Sequence, residues 1–320
     1  MQRRTLLALA AASVARPATV LAQSDRPISI VLGYPPGGTT DFIARTVASE
    51  MSKALNRQVI VDNVPGVSGM LGAQKVANGP TDGSLIYLGG TDTVVIPMLN
   101  DKARIQWDRD FVPIGTSTYV SMILAVPAKS PYQTLGDVVA AIRKGKKDFS
   151  FATPGVGTMQ HLYGALINQK ARIQMVHVPY KGGAQIANDL IGGHIDSAIL
   201  TTTSSLQFIK DGSIRAISIA DSARSPSLPN VRALGEEEGF SAVAMPLWHA
   251  FFMKTGTPAP VLAAYEKALM SVVNNPDTQK KFRDAGASPW VTTGKDMPAY
   301  IRGQATLFKD IIDSAKIVAE

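Results

Sequence analysis

The stretch Gly33-Tyr34-Pro35-Pro36-Gly37-Gly38-Thr39-Thr40-Asp41-Phe42-Ile43-Ala44-Arg45 constrains this chain more than any other. An apolar run, Ile28 to Leu32, leads into it, and Ile43, Val47, Met51 and Leu55 recur every fourth residue beyond it. That spacing is an amphipathic helix. So a strand ends, a Pro/Gly-rich turn follows, and a helix begins at Thr39 or Thr40. Such a turn brings free backbone N–H groups and the positive end of a helix to one point, where carboxylate or phosphate binds. The pattern predicts a small-acid site there.

The same unit recurs along the first third of the chain. A strand at Val59–Asp62 is followed by a Gly-rich loop, Pro65 to Gly69, and a short helix, Met70 to Ala77. The turn Pro80-Thr81-Asp82-Gly83 feeds a strand, Leu85–Leu88, which Gly89-Gly90-Thr91-Asp92-Thr93 ends while capping another short helix. Strands alternating with helices imply a mostly parallel sheet covered on both faces.

The pattern then restarts. An apolar strand spans Val120–Pro127, Thr134-Leu135-Gly136-Asp137 opens a helix, and Phe149–Ala152 is a strand. The second Gly-rich turn, Thr153-Pro154-Gly155-Val156-Gly157-Thr158, enters a helix carrying His161, Leu162, Leu166 and Ile167. Strand Met175–Val178, turn Pro179-Tyr180-Lys181-Gly182-Gly183 and helix Ala184–Ile191 follow. Strand Ser197–Leu200 then ends in the hydroxyl run Thr201-Thr202-Thr203-Ser204-Ser205. A further strand, Arg215–Ala220, precedes a Ser/Pro/Glu-rich surface segment, 221–239. The apolar run Trp248–Met253, a helix opened by Pro258-Ala259-Pro260, and two more helical stretches near Asp277–Ala285 and Met297–Ile317 are expected to return to the first lobe. The reading is α/β with two lobes: residues 23–124 plus 246–320 form lobe one and 125–245 lobe two, with two strands crossing between them as a hinge.

Composition narrows the function. The 320 residues are 45% apolar and 18% charged, an ordinary globular mix with ample core. There is no cysteine, which removes disulfides, thiolate nucleophiles and cysteine-ligated metal centres. Arg3 and Arg4, an apolar run to Ala15 and Val20-Leu21-Ala22 form an export signal with a cut near Ala22, by a Sec or twin-arginine route. No cysteine follows to carry a lipid anchor, so a free periplasmic protein is expected. Residues 1–22 hold three arginines and no acid. The formal charge of +7 on the whole chain therefore falls to +4 after cleavage, 29 basic against 25 acidic residues. The one basic cluster, Arg143-Lys144-Gly145-Lys146-Lys147, complements a helix end and lacks the interleaved aromatics of a nucleic-acid surface.

The ordered set Tyr34-Pro35-Pro36-Gly37-Gly38-x-x-Asp41, Pro80-x-Asp82-Gly83, Thr153-Pro154-Gly155-Val156-Gly157-Thr158-x-x-His161-Leu162, Val178-Pro179-Tyr180-Lys181-Gly182 and Gly256-Thr257-Pro258-Ala259-Pro260 resembles the Bug (Bordetella uptake gene) family. These are substrate-binding proteins of tripartite tricarboxylate transporters. The resemblance covers about residues 26–318, including Leu190-Ile191-Gly192-Gly193-His194-Ile195-Asp196 and Ala223-Arg224-Ser225-Pro226-Ser227-Leu228-Pro229. It implies a type II periplasmic-binding-protein fold, the two-lobed "Venus flytrap", and a small organic acid held by backbone amides, hydroxyls and waters. Carried over, Tyr34, Pro35, Pro36, Gly37, Gly38, Thr39 and Asp41 form the pincer of lobe one. Thr153, Pro154, Gly155, Val156, Gly157, Thr158 and His161 form that of lobe two, with Tyr180 and Lys181 beside it. Thr91 and Thr201, at strand ends, complete the candidate set. The resemblance also implies membrane transporter subunits as partners, a monomer, no cofactor and no nucleic acid.

Two departures bear on the ligand. The run after Ile199 often carries Asp or Asn in relatives, whereas Leu200-Thr201-Thr202-Thr203 is neutral. A ligand amino group lacks a partner there, which favours a plain carboxylic acid. Val67 and Ser68 stand in the loop Asn63–Gly69, where relatives carry smaller residues, so pocket shape differs.

Chemistry-bearing alternatives are weaker. An acid in a first helical turn, such as Asp41, ordinarily answers the helix dipole and is not a general base. His161 reads equally as ligand contact or packing residue, and Trp248 as core or hinge packing before cleft wall. His177, His194 and His249 lack metal-ligand spacing, so no metal site is predicted. Gly66-Val67-Ser68-Gly69-Met70 fails as a nucleophile elbow, and no nucleotide loop is present. A solute receptor therefore leads over a periplasmic enzyme on a similar scaffold or a ligand-presenting sensor component.

Overall fold

The computed structural model describes residues 26–99, 104–237, 239–240, 245 and 247–315. The expected export segment, 1–22, lies outside them. Lobe one opens with β1 (Ile28–Leu32), α1 (Thr39–Leu55), β2 (Val59–Asn63), α2 (Met70–Ala77), β3 (Leu85–Gly90), α3 (Thr91–Leu99), α4 (Trp107–Asp110) and β4 (Phe111–Val120). Lobe two is β5 (Met122–Pro127), α5 (Leu135–Arg143), β6 (Ser150–Thr153), α6 (Met159–Ala171), β7 (Val176–Pro179), α7 (Gly183–Gly192), β8 (Ser197–Thr201), α8 (Thr202–Lys210) and β9 (Ile214–Ile219). The chain returns through β10 (Leu247–Lys254), α9 (Ala259–Val273), α10 (Pro276–Asp284), β11 (Ala287–Pro289) and α11 (Met297–Ala315).

Two sheets result, in the orders β11-β4-β10-β3-β1-β2 and β7-β6-β8-β5-β9. The α/β class is as expected, but each sheet is mixed. β1 runs parallel to β2 and β3, and β6 parallel to β7 and β8. The strands next to the crossings, β4, β5 and β10, pair antiparallel. Helical crossovers make the parallel part, and the strands that carry the chain back between lobes must reverse.

The period-four face of α1 does what its spacing dictates. Ile43, Val47 and Met51 are fully buried against β1 and α9, each contributing ~1.5–3 kcal/mol of apolar burial. Asn56, in the left-handed conformation at φ 48°, closes the helix.

The first crossing falls at Ser121, between β4 and β5, and not after residue 124. Val120–Pro127 is therefore two strand ends and not one strand. An uninterrupted apolar run carries no mark of where a strand changes sheets. Ser121 and Tyr119 both donate hydrogen bonds to Asp221, at 2.5 and 2.7 Å, tying the first crossing to the start of the second. Burial pushes the Asp221 carboxyl up, against the lowering effect of those two donors. The end of the chain also departs from expectation. Met297 and Ile301 of α11 join the core of lobe one, whereas Phe308 and Ile312 pack into that of lobe two. One amphipathic helix thus spans both lobes. Segment 221–237 is closer-packed than a surface excursion, with Leu228, Ala233 and Leu234 buried.

Candidate functional site

Of the six parallel strands, β1, β3, β6, β7 and β8 end beside the gap between the lobes, where open α/β sheets hold ligands. A cavity of about 150 Å³ lies there. The lobes meet around it. Thr39 and Thr201 hydroxyls stand 2.5 Å apart, Ser68 donates to the Val156 carbonyl at 2.8 Å, and the Met159 N–H donates to Asp92 at 2.9 Å. The Pro35 ring sits over Gly182, where an added Cβ would come within 2.7 Å of Pro35 Cγ. The structure is closed.

The lobe-one turn stands at the cavity. Tyr34, Pro35, Pro36, Gly38 and Thr39 line it, joined by Thr40. Gly38 is the N-cap residue of α1, and no side chain caps that helix. The start of α1 therefore lies at the cavity wall without a side-chain cap. Gly37, at φ 89°, turns the chain and donates its N–H to Asp41 at 3.1 Å. Asp41 does not face the cavity. It accepts two bonds from Arg45, both at 2.9 Å, and one from Asn63 at 3.0 Å. Burial raises the Asp41 carboxyl, but the bonds from Arg45, Gly37 and Asn63 outweigh it and hold the group below the usual carboxylate range. Asp41 braces the turn from behind.

The lobe-two turn behaves differently. Of Thr153, Pro154, Gly155, Val156, Gly157, Thr158 and His161, only Pro154 lines the cavity. Three donors at the start of α6 are already spent. Thr158 caps the helix through the His161 N–H, the Gly157 N–H donates to His161 Nδ1 at 3.2 Å, and the Met159 N–H goes to Asp92. Thr153 bonds the carbonyl of Gly155 and Nε2 of His177. His161 stacks on His177 with centroids 4.0 Å apart, and burial together with His161 pushes the His177 ring down to about 3, so it is neutral. Gly155 and Val156 meet Ser68 across the gap instead of a ligand.

The cavity's second helix start is α7. Its N-cap residue is Gly182, no side chain caps it, and Gly182, Gly183, Ala184 and Gln185 all line the cavity. The pair Gly182-Gly183 reads in sequence as a turn. Tyr180 lies beside the cavity and not in it, donating to Asp189 at 2.6 Å, and Lys181 is exposed. Thr201 does line the cavity and caps α8. Thr91 is fully buried one layer back, accepting the Trp248 N–H at 3.0 Å. Trp248 is core, packed edge-on against Trp290 and Tyr300.

Residues outside the predicted set complete the walls: Asp92, Gln160, Ile199, Leu200, Ser204, Leu247 and His249. Asp92 accepts from Tyr34 OH at 2.5 Å and from Met159 N at 2.9 Å. Burial raises its carboxyl despite those two bonds. Burial also pushes the His249 ring down to about 4, so it is uncharged at neutral pH. No lysine or arginine lines the cavity among the described residues. The sequence signal for Asp92 was Gly89-Gly90 at a strand end, which marks close backbone approach. Gln160 carried no signal.

Two lobes, each a helix-flanked sheet, closed on a small cavity at their strand ends define a two-lobed solute-binding fold. Residues 43–317 match TctC, the tripartite tricarboxylate transporter family receptor. The chain is 33% identical over 89% of its length to a UPF0065 protein from the tcbD-tcbE intergenic region of a Pseudomonas species, covering 86% of that protein. It is 30% identical over 91% of its length to a UPF0065 protein of Bordetella bronchiseptica, again covering 86%. The solved structure of the periplasmic binding protein BugD superposes with a TM-score of 0.87 at 26% identity, over 92% of this chain and 99% of that one. This chain belongs to the tripartite tricarboxylate transporter receptor family, with the Bug proteins among its relatives.

Proposed function

We propose that this protein is an exported, monomeric solute receptor that captures a small carboxylic acid between its lobes and hands it to the membrane subunits of a tripartite tricarboxylate-type transporter, without turning it over. One observation carries the reading. Two helices without side-chain caps, α1 and α7, start on opposite lobes at one shared cavity. An acid there accepts backbone hydrogen bonds from both sides, and each helix end adds ~0.3–1 kcal/mol, more when partly buried. Closure keeps water from competing for those bonds. The absence of a basic lining residue among the described residues fits a ligand gripped by amides and hydroxyls.

Calorimetry and thermal shift of the purified protein against di-, tri- and aromatic carboxylates test it. A true ligand at a hundred times its dissociation constant stabilises the fold by ~2.7 kcal/mol, a readily measured rise in Tm. If no acid binds, or if a bound acid is converted, the reading fails.

A further inference from the structure

The backbone crosses between the two sheets after β4 and after β9, and α11 ties the lobes again without crossing. Met297 and Ile301, in its first turns, are fully buried in the core of lobe one. Phe308 and Ile312, further along, are buried in the core that holds Phe151 and Leu166 of lobe two. The helix packs on α3 of lobe one and on α6 of lobe two, and Gln169 of α6 donates a hydrogen bond to the Ser314 carbonyl in its last turn. Ile301 and Phe308 are about 10 Å apart along the helix axis. A straight rod pinned in two bodies resists their separation. For the lobes to part, α11 must bend or give up one of its ends.

Gly303 stands between the two pins. A helix interior disfavours glycine against alanine by a factor of about two to five. The usual reason to keep one is a neighbour too close to admit a Cβ. Gly164 of α6 is such a case, where an added Cβ would strike the Phe151 ring. At Gly303 the Cβ would meet nothing within 4 Å among the described residues. Packing therefore does not explain this glycine. The turn it opens is also the least anchored part of the helix: Gly303, Thr306 and Leu307 are exposed, and Gln304 and Ala305 are half-buried. A permissive backbone at an unanchored turn between two fixed ends is where a helix absorbs a change of angle.

We propose that α11 is a strap across the lobes and that Gly303 is its bending point. The turn at 303–307 is helical in the closed form and gives way as the lobes part. Glycine there lowers the cost of opening, and so sets how often the empty protein opens to exchange its ligand. The device does not depend on which molecule is bound, and its failure would leave the carboxylate reading intact.

The chain has no cysteine, so two introduced cysteines carry the only spin labels. Lys53→Cys in α1 and Lys144→Cys after α5, both at exposed positions, report the distance between the lobes of the ligand-free protein by pulsed electron paramagnetic resonance. The labelled pair is placed in the wild-type background, in Gly303→Ala and in Gly136→Ala. Gly136 lies in the first turn of α5, within lobe two, and has room for a Cβ, so it controls for a stiffer helix that does not join the lobes. Alanine gains over glycine only while its turn is helical. Gly303→Ala is therefore expected to raise the ratio of closed to open molecules about two- to fivefold, and Gly136→Ala to leave it as in wild type. Phe308→Ala, which loosens the lobe-two end of the strap, should move the ratio the other way. A wild-type ratio in Gly303→Ala overturns the proposal even if that variant melts higher, because opening then leaves α11 straight. An equal rise in Gly136→Ala overturns it as well. Gly303→Ala removes no contact, so the comparison stands even if Phe308→Ala does not fold.

Discussion

The turns after β1 and after β6 are both Gly-rich, both leave a strand and both enter a helix. Only the first offers its amides to the cavity. At α1 the N-cap is Gly38, and the nearest acid, Asp41, is occupied with Arg45, Asn63 and the single amide of Gly37. At α6 the N-cap is Thr158, His161 takes the Gly157 N–H, and Asp92 reaches across from lobe one to take that of Met159. A strand–turn–helix junction is an anion cradle when its donors are unspent, and a lobe-to-lobe fastening when they are not. The lobe-two cradle passes instead to α7, which begins on Gly182 with no side chain to cap it.

The comparison breaks most sharply at Gly182. Its φ of −179° is open to any residue, so Gly182→Ala should fold, but the new Cβ meets the Pro35 ring. Overpacking of ~1–3 kcal/mol against the closed state weakens acid binding on the order of ten- to hundredfold, read by calorimetry. Unchanged affinity would remove α7 from the site. Thr39→Val deletes the hydroxyl contact with Thr201 across the gap. A loss of ~1 kcal/mol corresponds to about fivefold weaker binding, with little change in the stability of the unliganded protein.

The turn after β6 predicts the opposite pattern. Thr158→Ala removes the cap of α6 and should lower stability by ~1 kcal/mol in denaturant melts. Ligand affinity should hold within about twofold once the folded fraction is accounted for, since ~0.5 kcal/mol is the scale of uninvolved changes. An affinity loss as large as that of Gly182→Ala would restore this turn to the clamp.

Asp41→Asn sharpens the description of the first turn with the smallest effect. The folded carboxyl is held below its ordinary value of ~3.9, so its contribution to stability is present above that pH and fades as pH falls through the folded value. The variant should be less stable than wild type by ~0.5 kcal/mol at neutral pH, because Arg45 is half exposed and its ion pair is screened. The gap should close in acid, as pH falls through the folded value, in paired thermal melts. A gap that persists into acid would assign the effect to packing.

Much of the molecule was legible beforehand because it is local. The apolar runs that became β1, β3, β6 and β8, the period-four face of α1, and the caps at Gly38 and Thr134 all lie within a few residues of what decides them. The strands that were missed are informative. Phe111–Val120 holds Pro113, Gly115 and a run of threonine and serine, and no strand is expected there, yet Thr116, Ser117 and Thr118 are fully buried within a sheet. Their burial depends on β10, more than a hundred residues later. Thr201–Ser205 reads as a hydroxyl run, and became the cap and first turn of α8.

Sequence alone determined the class of fold and the family, because strand, turn and helix signals are short-range and recur in order. It did not determine which amides stay free. Asp92, the acceptor that takes the Met159 amide, stands 67 residues away, and the pairs Ser68–Val156 and Thr39–Thr201 that join the lobes span 88 and 162 residues. Only the closed tertiary structure brings those partners within 3 Å. It thereby turned one Gly-rich turn into a fastening, placed a glycine pair read as a plain turn in the cavity wall, and made Asp92 an acceptor that joins the two lobes.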